Sequence, residues 1–436
     1  MAFLRNALLV LVTALVLAAW VVIPVQGAAV LALLLALWLV FTRSGTQARS
    51  VAAVGISTLG QRLGSSAVIV VGIGGVVAVL VSLLAMREGY SETLRRTGGP
   101  DSAIVMRGAS AAEVGSLLEN EDVVQIVQAP QIARDAEGKP LASDEIVAAA
   151  NLPVLRGGPD DEGSVQVRGV GERAWAVRPS VKIVSGRTFQ PGLRELIAGR
   201  GAASEFAGLS VGREIHLGAQ PWTVVGIFSS GDALESEIWG DARVVADTYR
   251  RGARRNSVTV RLADAASFAA FKTGLETNPQ LKVEAQTTLE YFEKQSETLR
   301  KILTVIGVVV GSIMAIGATF GALNTMFATV AARAREIATL RAIGFSGLPV
   351  VAAVLLETML LALLGGLLGG VLAYILFDGY SASTLAGTGK LSFALRVSPG
   401  LLWTGIQWAL AIGFVGGLFP AARAARLPVA AALREL

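Results

Sequence analysis

Asn324-Thr-Met-Phe-Ala-Thr-Val-Ala-Ala-Arg333-Ala-Arg335-Glu336-Ile-Ala-Thr-Leu-Arg341-Ala-Ile-Gly344-Phe345-Ser346 is the stretch that decides the fold. It leaves a long apolar segment, carries three arginines and one glutamate at helical spacing, and turns at Gly344 before a second apolar segment begins at Leu348. A short amphipathic helix held between two membrane spans makes a poor catalyst and a good handle. Whatever grips it from the cytoplasm pulls on both spans at once.

The surrounding composition agrees. The chain of 436 residues is 53% hydrophobic and 16% charged, with a mean hydropathy of +0.59, which excludes an ordinary soluble domain. Apolar residues concentrate at the two ends and leave a soluble-like middle. The chain has no cysteine, so it holds neither disulfides nor thiolate metal sites. Its net charge of +5 comes from basic residues beside the apolar spans, which fits membrane orientation rather than a nucleic-acid partner.

Residues 1–42 read as a hydrophobic hairpin of two spans turning at Pro24 to Gly27, since one helix of that length overshoots a bilayer core of about 30 Å. A signal peptide is the rival reading, but no small-x-small cleavage site follows. Residues 43–65 carry Arg43, Arg49 and Arg62 with no acid and read as an amphipathic elbow helix on the cytoplasmic surface, with Val51, Val54, Ile56, Leu59 and Leu63 on its apolar side. Residues 66–99 form a span that runs on into a stalk, with Leu83, Met86, Tyr90 and Leu94 as its seam. Residues 100–286 form an α+β domain. In it, strand 102–107, helix 110–119 and strand 123–127 are echoed by strand 257–262, helix 264–276 and strand 281–284, which predicts one subdomain split by a second. The insertion reads as short strands over 168–184, 196–199, 214–217 and 222–228, and the acidic run in 156–163 as a solvated loop.

Residues 287–331 return as stalk and span, with Leu289, Phe292, Ser296, Leu299 and Leu303 at coiled-coil spacing. Residues 332–347 are the amphipathic handle, and 348–436 hold two further spans joined by a short loop, with a basic tail. Placing the middle domain outside puts Arg5 and every basic cluster inside. The expectation is an α-helical membrane protein of about six spans with a split α+β extracytoplasmic domain on a helical stalk.

With these residues in view, the chain resembles the FtsX/MacB-like family of ABC transporter permeases. The resemblance rests on Asn324-Thr-Met, Arg333-x-Arg335-Glu336-Ile, Leu340-Arg341-Ala-x-Gly344-x-Ser346 and Glu357, then on Gly365-Gly366 with Gly369-Gly370. At the end it rests on Gly417-x-x-Pro420-Ala-x-Arg423-Ala and Pro428-x-x-Ala431 with Leu433-Arg434. It covers residues 60–436; the N-terminal hairpin is extra to the usual four spans. The resemblance implies a split periplasmic domain on a stalk and a bacterial inner-membrane location. It also implies coupling through Arg333, Arg335, Glu336, Arg341, Gly344, Phe345 and Ser346 to a cytoplasmic ABC ATPase. The simpler reading of those arginines is stop-transfer. Gly387-Thr-Gly389-Lys390-Leu391 lacks the first glycine and the hydroxyl of a phosphate-binding loop, so ATP and Mg belong to the partner subunit.

Glu357 lies inside a span, where a carboxylate needs a partner or a function. Gly307-x-x-x-Gly311, Gly317-x-x-x-Gly321 and Gly365-x-x-x-Gly369 are small-residue faces that serve a homodimer or heterodimer seam or packing inside one subunit. His216 is the only histidine, and with no cysteine a metal site is not expected; nor does any nucleophile–base pair stand out. Two functions stay open. One is export of antibiotics, peptides, lipids or lipoproteins, with a periplasmic adaptor and outer-membrane channel as further partners. The other is an FtsX-like mechanical transmitter that activates a cell-wall hydrolase and carries no substrate.

Overall fold

A computed structural model describes residues 16, 19–155, 161–386 and 389–426. The helices are α1 Val25–Phe41, α2 Arg43–Ser57, α3 Leu63–Thr97, α4 Asn120–Val127, α5 Ala174–Val177, α6 Arg200–Glu205, α7 Ala242–Thr248, α8 Phe268–Glu276, α9 Thr288–Ala332, α10 Ala334–Ala342, α11 Gly347–Phe377 and α12 Pro399–Arg426. The strands are β1 Ser102–Arg107, β2 Ala142–Pro153, β3 Glu162–Val170, β4 Lys182–Gly186, β5 Glu195–Gly199, β6 Glu214–Leu217, β7 Gln220–Ser229, β8 Glu237–Asp241, β9 Ser257–Arg261, β10 Val283–Thr287, β11 Ser381–Ala386 and β12 Gly389–Ala394. They assemble into two compact units. Among the described residues, one takes those up to 87, 302–380 and those from 396; the other takes 88–301 and 381–395.

Among the described residues, four helices are long and apolar enough to cross a membrane: α3, α9, α11 and α12. The 35 residues of α3 and 45 of α9 reach roughly 50 and 70 Å at helical rise, well beyond a bilayer core. A fifth candidate is the pair α1–α2, bent by 96°. Thr42 makes that bend: its backbone is extended, ending α1, while its hydroxyl accepts from the Gly45 amide and starts α2. The first helix of the expected hairpin lies mostly outside the described residues. Its end is fixed by Gln407, whose amide donates to the Trp20 and Ile23 carbonyls, while the Trp20 indole donates to the Gln407 carbonyl. Pro24 has no N–H to give the Trp20 carbonyl, so a side chain from α12 takes that place.

The surface of α2 differs from the one expected. Gly45, Ala48, Val51, Ala52 and Gly55 are its buried line; Gly45 lies against Trp38 and Leu39 of α1, and the line as a whole lets α2 lie close on α11. Val54 and Ile56 are exposed.

The second unit is built on one sheet of order β10-β1-β9-β2-β3-β8-β5-β7-β4, with β6 added on β7. Strand β2 joins its two ends: Ala142 to Glu145 pair with β9, and Ile146 to Pro153 pair with β3. A separate apolar cluster forms on either side of that switch, one around Phe271 and Ile126, the other around Trp222 and Phe206.

Four expectations are corrected here. Residues 110–119 hold only the 3₁₀ turn Glu113–Gly115, and 123–127 lie in helix α4, not a strand. The reason is tertiary: the Asn256 amide donates to the Glu113 and Ser116 carbonyls, and the Ser116 hydroxyl accepts from Arg107 N, so the segment cannot close helical bonds. The helix starts later, at a capping box of Glu119 and Asp122. Residues 168–184 are the end of β3, helix α5 and the start of β4. The short loop expected between the last two spans is the hairpin β11–β12, and it belongs to the second unit.

Candidate coupling site

The handle is a distinct helix. Arg333 leaves helical geometry (φ −101°, ψ 12°), separating α9 from α10. At the other end of α10 the Ile343 amide donates to Thr339, Gly344 N to Arg341, and Phe345 N to Leu340. Gly344 stands at φ +104°, a left-handed conformation that favours glycine. Ser346 is then the extended residue before α11.

Arg333 is buried, and its guanidinium joins two carboxylates. Nε and Nη2 donate to Glu336 at 3.0 and 2.9 Å, and Nη1 donates to Glu357 at 3.0 Å. Glu357, 3% exposed within α11, therefore has the partner that a carboxylate inside an apolar span requires. Hydrogen bonding from Arg333 holds the Glu336 carboxyl below its usual range. Two further residues reach this pair from outside the expected motif. A Cβ on Gly55 would lie 2.8 Å from Glu357 Oε2 and 2.9 Å from Arg333 Nη1, so α2 presses its backbone on the ion pair. Arg62 is close enough for its charge to act on both carboxylates.

The remaining expected residues divide. Arg335, Gly344 and Ser346 are exposed and Arg341 is half-buried. Phe345, expected at the ATPase interface, is half-buried against the cluster of Val51, Ala52 and Ala353, on which Leu340 and Leu356 also pack. Ile343 takes the outward place at 70% exposure, a residue that sequence spacing alone did not single out. On the stalk, Leu303 is buried, Leu289, Phe292 and Leu299 are half-buried, and Leu289 backbone lies where a Cβ on Gly98 would clash. Tyr291, not in the expected seam, is buried and its hydroxyl accepts from Glu113 N. Gly307 and Gly311 lie on Leu84 and Leu80, and Gly365 and Gly369 on Val70 and Gly74, so those faces pack inside the chain. Gly317 and Gly321 face open space.

A second charge cluster went unforeseen. Buried Arg168 directs its N–H groups to Glu113, Glu145 and Glu237 at 2.7–2.9 Å, and Arg178 also binds Glu145. Glu145 is the last β2 residue paired with β9, so the cluster stands where β2 changes partners.

The sheet domain inserted between long helices, and the helices that follow it, match two known domain families. Residues 65–278 match the model of the MacB-like periplasmic core domain, and residues 308–429 that of the FtsX-like permease C-terminal domain. The chain belongs to the FtsX/MacB-like family of ABC transporter permeases. An uncharacterized ABC transporter permease YknZ of Bacillus subtilis is 24% identical over 84% of this chain and 93% of its own length. The macrolide export ATP-binding/permease protein MacB of Vibrio parahaemolyticus is 25% identical over 70% of this chain, which spans 48% of that protein. The chain thus spans about half or less of the MacB relatives and nearly all of the permease YknZ. Among solved structures, the periplasmic region of MacB from Actinobacillus actinomycetemcomitans aligns with a TM-score of 0.33 over 48% of this permease and 95% of its own chain, at 14% identity. As a family member the permease is a multi-pass membrane protein with a periplasmic domain.

Proposed function

We propose that this chain is the permease subunit of an ABC transporter of the bacterial inner membrane, passing ATP-driven motion from a separate cytoplasmic ATPase to its periplasmic domain. The observation that carries it is the surface of the α10 turn. Ile343 stands 70% exposed at the end of α10, in a segment where Arg335 and Ser346 are exposed as well, an apolar residue among polar ones that a partner protein would cover. ATP and Mg act on that partner. The exposed side of α9, with Ile306, Val309, Ile313, Ile316, Phe320 and the open Gly317 and Gly321, supports pairing with a second copy or a related permease. Export of antibiotics, peptides, lipids or lipoproteins, through an adaptor and outer-membrane channel, is the favoured outcome of the motion. It rests on the likeness to the macrolide exporter MacB.

The test is ATP turnover of the purified complex in lipid with its partner ATPase, across macrolides, amphipathic peptides and acylated lipoproteins, with Ile343→Asp as control. Stimulation by one class, lost in the control, supports export and names the cargo. Turnover that ignores every cargo but rises with a periplasmic hydrolase means mechanical regulation instead. A control that couples like the wild type removes the α10 turn from the interface.

A further inference from the structure

Helix α10 is joined covalently to α9 and, through the Gly344 turn, to α11. The remaining long helix that continues into the second unit, α3, has no such link in the sequence. The structure supplies one. Residues 59–62 form a 3₁₀ turn that runs directly from α2 into α3, and Arg62 is its last residue. Upstream, Gly55 lies against both Glu357 and Arg333, and Val51 and Ala52 pack on Phe345. The segment leading into α3 therefore lies against the handle's ion pair at Gly55 and is held to the handle by an apolar layer.

The charges in this joint are unevenly shared. Two arginines face two carboxylates, yet Arg333 binds both Glu336 and Glu357. Arg62 acts on the same carboxylates electrostatically, while its Nη1 is buried with no hydrogen-bond partner. A buried unpaired donor costs free energy, and such costs persist where another arrangement of the same groups relieves them. Glu336 is the carboxylate free to change hands, because it is half-exposed and rides on α10, whereas Glu357 is enclosed in α11.

We propose that Gly55 and Arg62 are positioning residues of the coupling joint, and that Arg62 takes Glu336 from Arg333 when α10 moves. Displacement of the handle then reaches α3 as well as α9 and α11. Gly55 lets α2 sit on the ion pair; a Cβ there would force the Glu357 carboxylate or the Arg333 guanidinium to shift. The inference rests on the proposed transmission of ATP-driven motion.

The cysteine-free sequence permits a clean test. Arg95→Cys on α3 and Lys294→Cys on α9 carry spin labels in the full chain, in nanodiscs with its copurified ATPase, and the label distance is read with and without ATP. Arg62→Gln and Gly55→Leu are expected to lower the ATP-shifted fraction about fivefold while the ATPase still copurifies. Arg62→Glu should abolish the shift, and adding Glu336→Arg should restore at least half of it. Arg49→Gln, on the exposed side of α2, should leave the shift as in the wild type. The proposal is overturned if Arg62→Gln shifts like the wild type, or if the reversed pair does no better than Arg62→Glu alone. A wild-type complex that shows no ATP-dependent shift overturns the transmission reading itself, and the exchange with it.

Discussion

Arg168 directs all five of its N–H donors to three carboxylates, and its side chain is 2% exposed. Such a cluster contributes little net stability as a whole, but removing one partner strands charge in a low-dielectric site. Arg168→Met leaves Glu113 and Glu237 without their guanidinium and should destabilise the sheet domain by about 3–5 kcal/mol. Tryptophan fluorescence during thermal unfolding reads this, because Trp239 Nε1 donates to Glu237 at 2.8 Å. A loss below about 1 kcal/mol would show that the cluster is hydrated. The same region contains two groups that titrate in opposite senses. Burial pushes the Glu145 carboxyl up, but Arg178 and Arg168 outweigh it and bring it down to about 2, so its contribution is full above 4.5 and is lost as pH falls toward 2. Burial raises Asp232 to about 6, so its contribution is full below 3.8 and is lost as pH rises through 6. Asp232→Asn keeps the acceptor that caps Leu234 N and should raise stability above pH 6 by up to about 3 kcal/mol, with no gain at pH 4. Parallel pH curves for the two proteins would refute the assignment.

At the scale of elements, the hairpin β11–β12 is held to the sheet domain along its length. Lys390 binds Glu205 at 2.9 Å and lies over the Phe206 ring, Ser392 N donates to Ser236 Oγ at 2.9 Å, and Phe393 meets Tyr90 edge-on. Gly389 approaches β3 closely, since a Cβ there would lie 2.6 Å from Gln166 N. Gly389→Val should therefore lift the hairpin from β3 and speed proteolysis within 381–395 about tenfold, the effect of roughly 1.4 kcal/mol of local opening. Lys390→Met, which removes one half-exposed ion pair, should change it much less. Cleavage at the wild-type rate in Gly389→Val would mean the hairpin is not held there. Which elements were legible follows from where their determinants lie. Strands β6 and β7 carry their own alternation, and α8 in the unit β9–α8–β10 follows the Asp264 cap, so the sequence displays them. Strand β2, with its Ala-rich Ala148-Ala149-Ala150 run, and β8, buried at every residue, have no such period and form because partners lie on both sides. Likewise, the spacing of Arg333, Glu336 and Gly344 exposes the handle. The roles of Gly55 and Arg62 depend on α2 folding against α11, which no local pattern encodes.

For the molecule as a whole, the open question is how many times the chain crosses the bilayer before α3. Helix α1 is apolar on every side and only Ala28 of it is buried, so it has no protein core to enter and needs lipid around it. Its 17 residues reach about 25 Å, enough for a span with modest thinning of the bilayer. The 96° bend then lays α2 along the surface, with Arg43 and Arg49 exposed. A spanning α1 puts Pro24 and Gln26 on the side of the periplasmic domain and Ser50 on the opposite side. Because the chain has no native cysteine, single substitutions report this directly. In intact cells, a membrane-impermeant maleimide should label Gln26→Cys as readily as Ser383→Cys in the hairpin β11–β12, and should reach Ser50→Cys only after permeabilisation. Labelling of Ser50→Cys from outside, or protection of Gln26→Cys, would make α1 an interfacial helix. The basic clusters at Arg43, Arg49 and Arg62 would then have to be oriented by α3 alone.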